Sequence, residues 1–316
     1  MENHNKVFSD LAAESTLIEV EQYYQHHRRD INTSWKNPEW DENTVLIRAA
    51  ENGNYETVKW LLHNTDADVN ARNELGRTAL HRSYDNENVA RMLLEHGIDI
   101  HAKDKYGNSA ICDAARLGYD KVVEILVKFG ANVNDTNLDS CTPLILAAEE
   151  GYEQVAAILV ENGANVNAKS EQGKTALHVA AAKKSAPMVR LLLEHEVDVN
   201  ERDQEGNTAL AMTLWDESLT LKVLDCGVNI DAQNTNLETA LHWAAYYGNK
   251  NTVRLLLNYG ADRNLKDKRG RTPIEWAHEE NQYACVSALK FHKRKMPSGS
   301  SACTSIDYQD QSVASK

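Results

Sequence analysis

A tetrapeptide that begins with Thr or Ser recurs along almost the whole chain at nearly constant spacing. It reads Thr-Ala-Leu-His at three places and takes related forms such as Thr-Pro-Leu-Ile elsewhere. Its first residues are Thr44, Thr78, Ser109, Thr142, Thr175, Thr208, Thr239 and Thr272. The successive intervals are 34, 31, 33, 33, 33, 31 and 33 residues. A fixed period of this length predicts a repeat array instead of a globule built around one core.

Each period has the same internal order. The Thr or Ser is a favourable N-cap, and Pro143 and Pro273 follow it where a helix tolerates a missing N–H. A short helix with an Ala pair comes next, then a Gly such as Gly118, then a second helix with paired Leu and a terminal Gly. An Asn near the end, such as Asn134, is expected to bond the backbone of its own turn. Two such helices bury their apolar faces only by stacking on the neighbouring repeat.

The Thr-Ala-Leu-His and Thr-Pro-Leu-Ile tetrapeptides, the Ala and Leu pairs and the Gly-Ala-x-Val-Asn ends make this chain resemble the ankyrin repeat family. The resemblance covers roughly residues 41–294. It implies an all-α repeat solenoid, in which helix-turn-helix units joined by β-hairpin-like loops form a curved stack with a concave groove. For function, it implies protein–protein recognition and no chemistry.

Domain boundaries follow from where the pattern weakens. Residues 1–40 are predicted as a degenerate N-terminal capping repeat and an extended loop, and residues 41–295 as an array of about eight repeats that ends in a C-terminal cap. The Ser-rich residues 296–316 are predicted as a disordered tail. The repeats that begin at Thr78 and Thr208 are two residues short near the inter-helix turn, so we hypothesise that the array opens there.

The composition of the chain indicates which kinds of partner and which cellular compartment to expect. The net charge of −13 disfavours nucleic acids and anionic membranes and mildly favours basic partners. No apolar run is long enough for membrane insertion, and the start lacks a signal-peptide core. Five cysteines without CxxC spacing predict reduced thiols. We therefore expect a cytoplasmic monomer, with the nucleus as an alternative because Lys-Arg-Lys stands at 293–295.

Catalysis is not expected. The chain has no phosphate-binding glycine motif and no HExxH, and the repeats occupy nearly all of it. His81, His178 and His242 recur with the period, so they are interpreted as structural hydrogen-bonding residues. The prediction is a non-enzymatic adaptor without cofactor or metal site. The alternative is a substrate-recruiting or regulatory subunit of a larger complex, such as a ubiquitin ligase or kinase assembly.

Aromatic residues concentrate on one side of the helix that follows Thr239. At about 100° per residue, Leu241 falls on the side opposite to Trp243. In the ankyrin family that opposite side lines the concave groove, where partners bind. The aromatic residues predicted to dock a protein partner along this groove are Trp215, Trp243, Tyr246, Tyr247 and Trp276. Packing of these rings against one another is the alternative.

Loop residues just before each Thr or Ser project towards the same face in this family. Tyr106, Leu138, Lys268, Arg269 and Arg271 occupy such positions and are predicted to contact the partner. The acidic pair Glu149 and Glu150 could meet a basic segment of that partner, with a solvated face as the alternative.

Overall fold

The computed structural model describes residues 17–27, 43–83 and 86–292. These ranges hold sixteen helices and no strand. The helices are α1 (Leu17–His27), α2 (Val45–Glu51), α3 (Tyr55–Asn64), α4 (Glu87–Glu95), α5 (Ala110–Leu117), α6 (Asp120–Lys128), α7 (Pro143–Glu150), α8 (Glu153–Glu161), α9 (Ala176–Ala182), α10 (Ala186–Leu193), α11 (Ala209–Met212), α12 (Glu217–Asp225), α13 (Ala240–Tyr246), α14 (Lys250–Asn258), α15 (Pro273–Glu279) and α16 (Tyr283–Phe291). None of them combines the length and the apolar character that crossing a bilayer requires.

The ends of the chain are only partly described. Of the predicted capping repeat, the structure describes α1, which packs against α3, and the Tyr24 ring meets the Trp60 ring edge-to-face at 5.5 Å. The extended loop up to residue 40, the Lys-Arg-Lys segment and the tail from residue 296 lie outside the described residues.

The predicted N-caps are present. Thr44 Oγ1 and Thr142 Oγ1 each accept the backbone N–H three residues further on, at 3.3 Å. Pro143 and Pro273 are the first residues of α7 and α15, where no helical hydrogen bond is lost. The recurring Thr therefore sets where the first helix of a repeat begins.

Gly118 shows why the interruption between the helices is a glycine. It ends α5 with φ of +80°, a conformation that side chains rarely adopt. A Cβ added there would lie 2.6 Å from the Tyr152 ring of the next repeat. Both the backbone conformation and the neighbouring repeat exclude a larger residue.

Packing between repeats follows the Ala and Leu pairs. First helices contact first helices, as in α5 with α7 and α13 with α15, and second helices contact second helices, as in α6 with α8 and α14 with α16. Ala147, Ala148 and Leu192 are fully buried. The small Ala side chains bring the helices close together, and stacking removes the apolar faces from water.

The loops are hydrogen-bonded hairpins without a described strand. In each loop, the N–H of the first residue donates a hydrogen bond to the carbonyl oxygen four residues later. The Asp104 N–H, for example, donates to the Asn108 carbonyl at 2.9 Å. Neighbouring loops are joined as well, since the Leu138 N–H donates to the Tyr106 carbonyl at 2.9 Å. The buried Asp104 carboxylate also accepts the Tyr106 and Asn108 N–H groups, a role that the sequence analysis missed.

The expectation for the Asn residues was wrong for most of the stack. Asn134 Oδ1 accepts the Asn165 N–H at 2.7 Å, and Asn200 Oδ1 accepts the Asn229 N–H at 2.6 Å. These bonds join successive repeats because the next loop presents a backbone N–H that needs an acceptor. Asn264, in the last repeat, bonds its own turn at Asp262.

The two short repeats have truncated first helices. After Thr78, residues 79–82 form turns and no helix, and after Thr208 α11 has four residues. The regular first helices have seven or eight residues, as in α13 and α5. The missing residues therefore shorten the first helix and leave the second helix at full length.

We expect these short repeats to open more readily than their neighbours. Amides of residues 209–213 should exchange faster than those of α13, because one turn of helix has few internal hydrogen bonds. Native-state hydrogen exchange read by mass spectrometry measures this difference. Uniform protection across residues 205–228 and α13 would contradict the hypothesis.

The chain divides into two compact units, Met1–Glu196 and Val197–Lys316. The first unit contains α1–α10 and the predicted loop residues Tyr106 and Leu138. The second contains α11–α16 and the predicted contact residues from Trp215 to Trp276. The two groups of residues therefore belong to separate units.

Candidate functional site

Helix α13 has one buried and one open side, as its sequence predicts. Leu241, Ala244 and Ala245 are buried on the packing side. Trp243 is half-buried, whereas Tyr246 and Tyr247 are 39% and 58% exposed. The helical spacing therefore predicted correctly which residues of this stretch face away from the core.

Four rings from α13, its C-cap and α15 form a cluster that we call the aromatic patch: Trp243, Tyr246, Tyr247 and Trp276. Trp243 and Tyr247 are stacked with ring centroids 6.0 Å apart. Trp243 meets Trp276 edge-to-face at 5.3 Å, and Tyr246 meets Trp276 at 5.8 Å. Such geometries are favourable for aromatic pairs. The rings thus pack on one another, as the alternative interpretation expected, and still present two tyrosines to solvent.

Trp276 departs from the prediction that it lines an open groove. It is 6% exposed, and its indole N–H donates to Asp267 Oδ2 at 3.0 Å. The Arg271 guanidinium lies 5.1 Å from its ring centroid. The loop of its own repeat therefore covers Trp276, which supports the aromatic patch from the core side.

Arg271 is also engaged within the last repeat. Its Nε donates to Asp267 at 2.9 Å and its Nη1 donates to Glu279 at 2.6 Å. Burial opposes ionisation of Asp267, but hydrogen bonds from Arg271 and Trp276 outweigh it and lower the pKa of Asp267 to about 2. Of the three predicted contact residues in this loop, Lys268 and Arg269 are exposed.

His242 is a structural residue, as its recurrence predicts. Its Nδ1 accepts the Thr239 N–H at 3.1 Å, and its Nε2 donates to the Arg271 carbonyl at 3.1 Å. His81 repeats this arrangement with Thr78 and Asn108. The ring ties the start of a first helix to the loop of the next repeat and is not placed for proton transfer to a ligand.

These histidines give a pH dependence of stability. Burial lowers the pKa values of His81 and His242 below the ordinary 6.5, so the unfolded chain takes up protons first. Stability is therefore complete above that value and falls as the pH drops below it. Urea denaturation at about pH 7.5 and about pH 5.5 should show this loss. The double variant His81→Gln/His242→Gln should have a smaller loss, and an unchanged loss would contradict the assignment.

The remaining predicted residues lie between two helices or at loop tips. Trp215 is half-buried between α11 and α12. Tyr106 and Leu138 are exposed at adjacent loop tips of the first unit. Whether any of these residues contacts a partner stays a prediction.

Family models of ankyrin repeats match nearly the whole described chain. A model described as ankyrin repeats in three copies matches residues 11–104, 100–170 and 214–297. A second, described as ankyrin repeats in many copies, matches residues 159–212. The matched segments extend from α1 to α16, and no enzyme family is indicated by them.

Two relatives match parts of the chain in sequence. Human inversin is 34% identical over 73 residues, which are 23% of this chain and 7% of inversin. The Escherichia coli K12 ankyrin repeat protein YahD is 32% identical over 93 residues, which are 27% of this chain and 46% of YahD. The chain thus spans less than half the length of these relatives.

A solved structure confirms the architecture. The crystal structure of the ankyrin repeat domain of Bcl-3, described as a unique member of the IkappaB protein family, matches with a TM-score of 0.60 at 26% identity. The match covers 67% of this chain and 99% of that one. Ankyrin repeats in general mediate protein–protein interaction. With its repeats matched by family models from residue 11 to residue 297, the chain belongs to the ankyrin repeat family.

Proposed function

We propose that this protein is a non-enzymatic adaptor that binds a segment of a partner protein at the aromatic patch. The exposure of Tyr246 and Tyr247 beside Trp243 carries the proposal. Trp276 underneath is held by Asp267, so the rings are pre-organised before a partner arrives. Trp and Tyr are favoured anchors of protein interfaces because they combine a large apolar area with few rotatable bonds.

The chemistry of the aromatic patch favours a partner segment with an apolar anchor and a basic residue. An apolar side chain laid over Trp243 and Tyr247 would lose contact with water. A lysine or arginine of the partner would gain from the ring faces and from the overall charge of −13. Glu280, which is exposed and occupies the position of Tyr247 one repeat later, adds a carboxylate.

The experiment compares matched variants with one purified partner. Affinity purification with mass spectrometry first identifies a partner, and calorimetry then measures its affinity. Trp243→Ala/Tyr247→Ala should weaken binding by about 30-fold or more, since the two anchors together are expected to contribute about 2 kcal/mol or more. Tyr283→Ala, which removes a tyrosine of α16 that is 69% exposed, serves as the control. Equal affinity for the wild type and the double variant would overturn the docking site.

The expected compartment and oligomeric state belong to the same proposal. We place the protein in the cytoplasm, with the nucleus as the alternative, and expect a monomer. Microscopy of a fluorescent fusion with and without Lys293, Arg294 and Lys295 tests the first point. Light scattering during size-exclusion chromatography tests the second.

A further inference from the structure

The two last second helices differ in charge from the rest of this acidic chain. Neither α14, Lys-Asn-Thr-Val-Arg-Leu-Leu-Leu-Asn, nor α16, Tyr-Ala-Cys-Val-Ser-Ala-Leu-Lys-Phe, contains an acidic residue. The two helices pack against each other in the second unit. Their shared outer surface is therefore basic, although the whole chain carries a net charge of −13.

Lys250 places a positive charge at the start of a second helix. It is the first residue of α14, where a positive side chain opposes the helix dipole. Four other second helices begin with an acidic residue, Glu87, Asp120, Glu153 or Glu217, and three begin with an uncharged one, Tyr55, Ala186 or Tyr283. Among these described second helices, α14 alone begins with a basic residue.

Lys250 lines an open groove between the two helices. The groove has a volume of about 320 Å³ and is formed by Lys250 and Arg254 of α14 and by Ser287, Phe291 and His292. Among the described residues, no carboxylate forms an ion pair with Lys250 or Arg254. The Nε2 atom of His292 is buried and makes no hydrogen bond to any described residue. The groove thus offers two positive charges that no described carboxylate compensates.

The groove has an apolar edge and one further basic neighbour. The Phe291 ring is 69% exposed, and the Lys290 ammonium lies 5.5 Å from its centroid. A bare phosphate would use the charges and leave the ring uncovered, whereas a peptide can cover both.

We propose that the groove between α14 and α16 is a second docking surface, which binds an acidic segment of a partner protein that also carries an apolar residue. Aspartate or glutamate side chains of this segment pair with Lys250 and Arg254 and accept from the Ser287 hydroxyl. Its apolar residue covers Phe291. The surface is independent of the aromatic patch and takes the opposite charge.

The test measures binding of a fluorescein-labelled peptide with the repeating sequence Glu-Glu-Phe-Glu to the full chain. Fluorescence anisotropy at low salt reports the affinity. Lys250→Glu/Arg254→Glu should weaken peptide binding by about 10-fold or more. Both side chains reach solvent, and an acidic first residue suits the helix, so the variant should fold. Lys121→Glu/Lys128→Glu on α6 changes the net charge equally and should alter binding by less than about twofold.

Further measurements distinguish this proposal from a general charge effect, from phosphate or lipid binding, and from the proposed function. Trp243→Ala/Tyr247→Ala should bind the acidic peptide as the wild type does, whatever becomes of the aromatic patch as a docking site. Equal losses in the α14 and α6 variants would show a general charge effect and overturn the groove. Competition by inorganic phosphate as effective as by unlabelled peptide, or tighter binding of phosphatidylserine vesicles than of peptide, would also overturn it.

Discussion

Leu192→Ala is expected to lower the free energy of unfolding by about 2–5 kcal/mol. Leu192 is fully buried on α10, which packs against α8 and α9 in the first unit. The substitution removes apolar contacts and leaves a cavity that close-packed neighbours fill only in part. Urea denaturation followed by circular dichroism measures the loss.

The same helix offers a matched control for this prediction. Leu191 precedes Leu192 in α10 but is only half-buried, so Leu191→Ala deletes the same atoms from a less enclosed position. Its loss should be clearly smaller, since the cost rises with the cavity created. Equal losses in both variants would contradict the packing assigned to Leu192.

Asp267→Ala is expected to destabilise the last repeat by about 1–3 kcal/mol. The buried carboxylate accepts hydrogen bonds from the Arg269 and Arg271 backbone, the Arg271 guanidinium and the Trp276 indole. Removing it leaves the buried indole N–H and two backbone N–H groups without their acceptor, whereas the Arg271 guanidinium keeps Glu279. Urea denaturation followed by tryptophan fluorescence reports both the stability and the environment of Trp276.

A substitution of a nearby aspartate and a measurement of stability at low pH serve as controls for this prediction. Asp262 is exposed and accepts only from Asn264 among the bonds described for its side chain, so Asp262→Ala should cost far less. Because the pKa of Asp267 is lowered to about 2 from 3.8, its contribution is present above the higher value and lost as the pH falls through the lower. Asp267→Ala should lack that loss, and an unchanged acid transition would overturn the role of Asp267.

The orientation of α13 could be predicted from sequence because it depends only on helical spacing. Residues three and four positions apart share a face, so Leu241, Ala244 and Ala245 fall together and Trp243 falls opposite. The fate of Trp276 could not be predicted in this way. It occupies the position of Trp243 one repeat later, but a carboxylate from its own loop binds the indole and closes over it.

The repeat length, the first residues of the helices, the buried Ala and Leu pairs and the family were determined by the sequence alone. Each depends on periodicity and on interactions within a few residues, which a linear pattern records directly. Only the tertiary structure decided that Asn134 bonds the next repeat, that α11 is one turn long and that α14 and α16 enclose a basic groove. Those outcomes depend on what the neighbouring repeat presents about one period away in sequence, and spacing alone does not specify that geometry.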